Sequence, residues 1–376
     1  MPPIAAPAKI LLTGVNGYLD AHVAKELLDR GFAVVGTVRS SAKGDSIAKY
    51  FEHYGERFSY SIVQDMTMPG VFDPVISVGE FDGVAHTAAP IPTSSGQQAD
   101  SSDSAFNAAI AGTLNVMHSI KAYGYGHVLW PYVESNLSEF NLCRQTVKRV
   151  VFTSSTLAAL QSEPGIVHNE SHWNDEVVKR LQDREYKATD IERYMASKCL
   201  SEKAAWKFIE DNKSEVNFDL VTILPTAIIG PNMKPPLDEN MPRAQLDASN
   251  MFFKSLKAAI KDSKFTDPCF TIVHVKDTAA LHAEAFIHSG AAGHRIPATS
   301  SEPSWQDICD ALNEEPAFSG VPGGNPGVGK RPDNESLEWD TSYAKSLLGR
   351  NMIGARQMVR ETAAFYQKKG WEFVAT

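Results

Sequence analysis

Short apolar runs rich in β-branched residues recur along the chain. They read KILLT (9–13), FAVVGTV (32–38), FSYSIVQ (58–64), DGVAH (82–86), RVVFTS (149–154), FDLVTIL (218–224) and FTIVHV (270–275). Near-continuous apolar character predicts strands buried on both faces rather than on one. Between them lie helical patterns at 19–30, 104–123, 191–212 and 277–289. Strands alternating with helices predict an α/β fold, a doubly wound parallel sheet covered on both sides. Ligands of such sheets sit at the carboxyl ends of the strands. Stretches rich in Pro, Asn and Asp, about 225–250 and 314–336, read as loops of a smaller lobe over the sheet.

One stretch breaks the alternation. Residues 125–145, YGHVLWPYVESNLSEFNLCRQ, separate a helix ending near Gly124 from a strand beginning near Lys148. Connections there are ordinarily about 2–6 residues long. The segment has no helical or alternating period, and without it the chain reads SIKAYGTVKRVVFTSS. It is expected to be foreign to the fold, a surface insertion or a retained intron translated in frame, lying away from the ligand face; the alternative is a partner-binding or dimer-contact loop.

The first strand runs into LLTGVNGYLDAHV (11–23), a glycine turn that opens a helix. Gly14 and Gly17 permit positive φ and close approach of a pyrophosphate, and the helix start offers free N–H groups and a positive dipole end. This predicts a Rossmann-type dinucleotide site. NAD-specific folds place Asp or Glu at the end of the second strand to hold the ribose 2′-hydroxyl. Here the strand ends TVRSSAK, which supplies Arg39 and Lys43, with no carboxylate before Asp45. Two cations suit a 2′-phosphate, so the expected cofactor is NADP(H). Asp20 stands where such turns usually carry a third small residue. The helix dipole favours a carboxylate there by roughly 0.3–1 kcal/mol. Facing the cofactor it would repel the pyrophosphate, so Asp20 reads as a packing and electrostatic handicap.

The candidate chemistry lies further on. The fifth strand ends VFTSSTLAAL, and IERYMASKCLSEKAAWKFIE follows some forty residues later. Tyr194 and Lys198 are four residues apart in a helical pattern and share a face. A tyrosine with an ordinary pKa near 10 is a poor acid–base group at neutral pH, and an adjacent ammonium is expected to lower that value. Ser155, at the strand end, is placed to hydrogen-bond a substrate carbonyl.

With these stretches in hand, the chain resembles the extended short-chain dehydrogenase/reductases. It is most like the branch of dihydroflavonol reductases, cinnamoyl-CoA reductases and fungal aldehyde and ketone reductases of the methylglyoxal-reductase type. The matching segments are TGVNGYL, GTVRSSAK, VAHTAAP, AIAGTLNVMHSIKAYG, VKRVVFTSS, YMASKCLSEKAAW, FDLVTILPTAIIGP and TIVHVKDTAALHAEAF, in family order over nearly the whole chain. The resemblance implies a reductase of a ketone or aldehyde, of the kind found in secondary metabolism. In it Tyr194 supplies the proton, Lys198 lowers the pKa of Tyr194 and holds the ribose, and Ser155 polarises the carbonyl. It puts Thr13, Gly14, Asn16, Gly17, Tyr18, Leu19 and Thr153 at the cofactor, and Arg39 and Lys43 on its 2′-phosphate. Asp65 and Met66 fall by the adenine, and Thr87, Ala88 and Ala89 along the cofactor. Pro225 to Ile228 lie by the nicotinamide and Ser249 near the phosphates. A Rossmann domain is expected over 8–224 plus about 265–290, with a substrate lobe over about 225–264 and 291–376. Besides Asp20, a second departure is Ile91, where relatives often carry an aromatic residue.

Composition sets the outer limits. The chain has 376 residues, 43% of them hydrophobic, enough for a full core. Its 36 Lys and Arg against 45 Asp and Glu give a net charge of −9, with no footprint for nucleic acid or an anionic membrane. No apolar run approaches the roughly 20 residues of a membrane span, and the start MPPIAAPAK has no secretory core, so a cytoplasmic monomer or homodimer is expected. Cys143, Cys199, Cys269 and Cys309 are scattered and read as reduced thiols. His22, His86, His274 and His282 lack metal-ligand spacing, so no metal is expected. His274 and Asp277 read as structural, and Trp206 and Phe208 as core. Two other functions stay open. A sugar-nucleotide epimerase or dehydratase is one, although dehydratases need acids after the serine and this chain has Thr156, Leu157 and Ala158. A non-catalytic NADP-sensing protein is the other.

Overall fold

The apolar runs pair side by side, all parallel. In the computed structural model, which describes residues 3–89, 102–123, 146–163, 165–183, 187–233, 248–326 and 337–370, the strands are β1 (Lys9–Leu12), β2 (Ala33–Val38), β3 (Phe58–Ile62), β4 (Gly83–His86), β5 (Arg149–Thr153), β6 (Val167–His168), β7 (Asp219–Pro225), β8 (Ala227–Ile229), β9 (Ile272–His274), β10 (Arg295–Ala298) and β11 (Glu338–Trp339). The helices are α1 (Tyr18–Asp29), α2 (Ser41–Tyr50), α3 (Asp73–Gly79), α4 (Ser102–Tyr123), α5 (Asp175–Gln182), α6 (Asp190–Asp211), α7 (Ala248–Lys261), α8 (Val275–Ile287), α9 (Trp305–Asn313), α10 (Ser342–Leu348) and α11 (Ala355–Lys368). The segment 125–145, Ile91 and most of the loop 226–250 beyond Met233 lie outside the described residues.

The main sheet has the order β10-β7-β5-β4-β1-β2-β3. Ile10 pairs with Val34 on one side and Gly83 on the other, and Val150 with Val84 and Leu220. The chain winds outward from β1 to β3, returns to β4, and winds the other way. The crevice between β1 and β4 is therefore the switch point where such sheets bind ligands.

Alternate residues of each strand serve opposite faces, as the pleat requires. Ile10, Leu12, Val151 and Ile223 pack with Val23 and Leu27 of α1 and with Leu281 and Phe286 of α8. Leu11, Val150, Phe152 and Leu220 pack on the other face with Val116, Met117 and Ile120 of α4 and with Ala205 and Phe208 of α6. A third cluster, from Phe252, Leu256, Trp305, Ile308, Met358 and Tyr366, unites α7, α9 and α11 as the smaller C-terminal lobe. Burial of each such side chain stabilises by about 1.5–3 kcal/mol. No helix among the described residues is long and apolar enough to cross a membrane.

The seventh run differs from the sequence expectation. Only Ile272–His274 of it is a strand, and it pairs with β8 in a separate two-stranded sheet. The edge of the main sheet is taken by β10, whose Ile296 pairs with Ile223 of β7. The sheet thus includes residues that the sequence reading left in the lobe. RIPA carries an arginine and a proline, which hide a strand from a hydrophobicity pattern. Proline is tolerated because β10 is an edge strand with one ladder to satisfy.

Candidate active site

The turn after β1 is built on its glycines. Gly14 has φ +74, and a Cβ there would meet Ala88 Cβ at 3.0 Å, so both conformation and space require glycine. Its N–H donates to Thr37 Oγ1 (3.1 Å), and Gly17 N–H donates to the Gly14 carbonyl (2.8 Å), closing the loop. Thr13 ties the loop to the end of β4. Its hydroxyl accepts from the N–H groups of Thr87 and Ala88 (both 3.1 Å), and its carbonyl accepts from Thr87 Oγ1 (2.7 Å). Asn16 and Gly17 stay half-exposed at the loop tip, whereas the Leu19 side chain turns into the core. Tyr18 donates to the Gly230 carbonyl (2.9 Å) and lies 3.2 Å from Ser249 Oγ, which joins the loop to β8 and α7.

At the far end of the crevice Arg39 is exposed and Lys43 half-buried at the start of α2. Asp65 accepts from the Thr67 N–H and hydroxyl, which hold its carboxyl below the ordinary range, with the Arg39 charge adding to the effect. Arg39 and Asp65 are thus near neighbours. Met66 packs over Gly112 of α4 and receives the Asn115 amide on its carbonyl (3.0 Å).

The chemistry-bearing residues meet where β5 ends against α6. A capping box, Thr189 with Glu192, starts α6 just before Tyr194. Ser155 caps the short turn Thr156–Ala158, accepting from Leu157 N–H (3.2 Å), and its Oγ lies 3.4 Å from the Pro225 carbonyl. The Ser155 hydroxyl lies close enough to the Tyr194 phenol to act on its titration. Lys198 is buried, and its Nζ donates to the Thr153 carbonyl (3.2 Å). Burial pulls this ammonium down to about 8, while the Glu202 and Asp20 carboxylates oppose that shift. The balance on Tyr194 differs from the sequence expectation. Burial pushes the phenol above its ordinary value, and the Ser155 hydroxyl is the group that pulls it back. The Lys198 ammonium is instead turned to the β5 carbonyl and to carboxylates.

Beneath the site lies a buried polar layer that the sequence reading missed. Glu202, fully buried one turn after Lys198, accepts from Ser154 Oγ (2.6 Å), Thr222 Oγ1 (2.7 Å), Trp206 Nε1 (3.3 Å) and both Nε (2.7 Å) and a terminal nitrogen (3.1 Å) of Arg295. The Arg295 guanidinium stacks 3.5 Å over Trp173 and donates to the carbonyls of Glu170 (2.8 Å) and His172 (2.5 Å). The i+4 spacing from Lys198 was the available signal for Glu202; nothing local pointed to Arg295. His282 is buried and held neutral, its pKa pushed to about 4. Its Nδ1 faces the Thr278 carbonyl (2.7 Å) and therefore carries the proton, so Nε2 accepts from Thr153 Oγ1 (2.7 Å). His86, pushed to about 3 by burial, faces Thr13 with Nδ1 (3.0 Å).

His274 caps α8, and Asp277 is buried against Arg350 (2.7 Å) and Ile353 N–H (2.6 Å), which are structural positions. No cluster that could hold a metal ion occurs among the described residues.

The profile of the NAD dependent epimerase/dehydratase family matches residues 10–296. The chain is similar to the NADPH-dependent methylglyoxal reductase GRE2 of Saccharomyces cerevisiae, 28% identical with 94% of this chain and 97% of that one covered. It is similar to the ketoreductase azaE of Aspergillus niger, 31% identical over 81% of each chain. Among solved structures it resembles Gre2 of Candida albicans in complex with NADPH, with a TM-score of 0.77, 27% identity, and 96% of this chain and 99% of that one covered.

Proposed function

The chain belongs to the NAD dependent epimerase/dehydratase family, and we propose that within it the protein is an NADPH-dependent reductase that converts a ketone or aldehyde to the alcohol. The observation that carries this reading is the meeting of Ser155, Tyr194 and the buried Lys198 where β5 ends against α6, one strand from the switch point of the sheet. Similarity over almost the whole chain to the methylglyoxal reductase GRE2 and to a Gre2 solved with NADPH supports it.

The residues around the crevice fit the cofactor in all respects but one. The glycine loop and the start of α1 offer N–H groups to a pyrophosphate, Arg39 and Lys43 offer cations to a 2′-phosphate, and Asp65 and Met66 flank an adenine position. Thr87 to Ala89 and Pro225 to Ile228 line the path between, and Lys198 is the group for the ribose. The exception is Asp20, treated below. Bound there, NADPH supplies a hydride to the carbonyl carbon.

The chain's own residues handle the oxygen. Ser155 donates to the carbonyl oxygen and Tyr194 gives it the proton that completes the alcohol. The phenol carries its proton at neutral pH, so the proton for the reducing direction is in place, while the upward push of burial weakens it as an acid. Lys198, brought down to about 8, is mostly an ammonium at that pH and, held to the Thr153 carbonyl, serves the ribose rather than the phenol. Thr156, Leu157 and Ala158 supply no acid for the dehydratase chemistry that is the alternative within the family.

Loss of NADPH absorbance on adding methylglyoxal, isovaleraldehyde or an aryl ketone tests the reading. Turnover of at least one is expected. Tight NADPH binding with no turnover across the panel would favour the sensing role instead.

A further inference from the structure

The two glycines of the loop leave a face without side chains, and Asp20 lies on it. A Cβ on Gly17 would fall 1.8 Å from Asp20 Oδ2 and 2.7 Å from its Cγ, and a Cβ on Gly14 would fall 3.5 Å from Oδ1. The carboxylate therefore spans the space toward which both missing side chains would point. In a dinucleotide loop that space lets the pyrophosphate approach the backbone. The same carboxylate acts by its charge on Lys198. It also sits in the first turn of α1, where the dipole favours an anion. An acid of this chain thus has two surroundings that a bound phosphate would have, the open face of the glycines and the helix start.

We propose that Asp20 is an internal substitute for the cofactor's pyrophosphate, which occupies its seat on the glycine loop and must leave that seat for NADPH to enter. Asp20 is then a determinant of cofactor affinity, set weak in this chain by one side chain. This rests on the NADPH reading above and makes it specific to one half of the cofactor. The adenosine 2′-phosphate, at Arg39 and Lys43, is outside the reach of the effect.

Equilibrium binding, read from NADPH fluorescence, tests this on the wild type, Asp20→Ala and Asp20→Asn. A competing ligand, 2′-AMP, carries the 2′-phosphate and no pyrophosphate. Removal of a like charge from a few ångströms is expected to tighten NADPH binding about ten- to a hundred-fold in Asp20→Ala. Asp20→Asn, which keeps the volume and loses the charge, should give part of that gain, and 2′-AMP should bind all three alike. Asn serves as the readout should the alanine variant fail to fold. Equal or weaker NADPH binding by the variants overturns the inference, and so does 2′-AMP tightening in step with NADPH. Failure of all three proteins to bind NADPH overturns the cofactor reading itself, and this inference with it.

Discussion

Two carboxylates act on Lys198, and they are set in opposite ways. Glu202 belongs to the same helix, is fully buried, and is fixed by Ser154, Thr222, Trp206 and Arg295. Asp20, half-buried in the first turn of α1, acts on Lys198 by its charge alone. The first is part of the scaffold, since its charge has paired donors and cannot be removed alone without cost. The second stands where a ligand belongs. One ammonium therefore receives a permanent counter-charge from below and an exchangeable one from above.

The largest effect expected is on the proton itself. Tyr194→Phe removes the donor and leaves both carboxylates in place. It should lower kcat by about 10²–10⁴-fold with NADPH affinity retained. This sets the scale for reading the carboxylate variants: an effect of that size from either would mean that it takes part in proton transfer. Near-wild-type kcat would remove Tyr194 from the mechanism.

Next comes the scaffold charge. Glu202→Gln leaves Arg295 buried with its ion pair broken, and losing one partner of such a pair costs about 3–5 kcal/mol of folding stability. Urea unfolding of the single variant, of Arg295→Met, and of the double should show the double less destabilised than the two singles added together. Additive losses would mean that the pair is not the organising contact. Asp20→Asn in the same assay should fall well short of Glu202→Gln, because no buried cation depends on Asp20 alone.

The two regions also differ in how far the sequence disclosed them. The glycine loop, Ser155, Tyr194 and Lys198 were legible because each rests on local spacing: a strand, a turn and a helix in series, or two residues one turn apart. Asp20 was visible as a wrong residue in a known turn, but the direction of its side chain was not. Glu202 and Arg295 are 93 residues apart in the chain, so their contact depends on the pairing of β10 with β7. That pairing was itself hidden, since Arg295 and Pro297 spoil the apolar run and the stronger run at 270–275 drew the assignment. Local charge logic failed at Tyr194 for a related reason. Spacing placed an ammonium near the phenol, whereas burial and the orientation of Lys198 toward Thr153 decide the balance.

The smallest effect expected is a shift in pH dependence, and it separates the two carboxylates most directly. Burial has brought the Lys198 pKa down to about 8, so its ammonium is present below that pH and lost above it. The value of kcat/KM for NADPH, which reports groups of the free enzyme, should fall as pH rises through about 8. Both carboxylates hold the ammonium up, Glu202 more strongly than Asp20. Removing either charge should therefore move the midpoint downward, and Glu202→Gln should move it further than Asp20→Asn. The two variants part in the height of the plateau below the midpoint. Asp20→Asn should raise it, because the pyrophosphate seat is freed of charge, whereas Glu202→Gln should lower it or leave it unchanged. A profile in which Asp20→Asn shifts the midpoint and leaves the plateau untouched would make Asp20 a second scaffold charge like Glu202. A plateau raised with no shift in midpoint would leave it in the seat but uncouple it from Lys198.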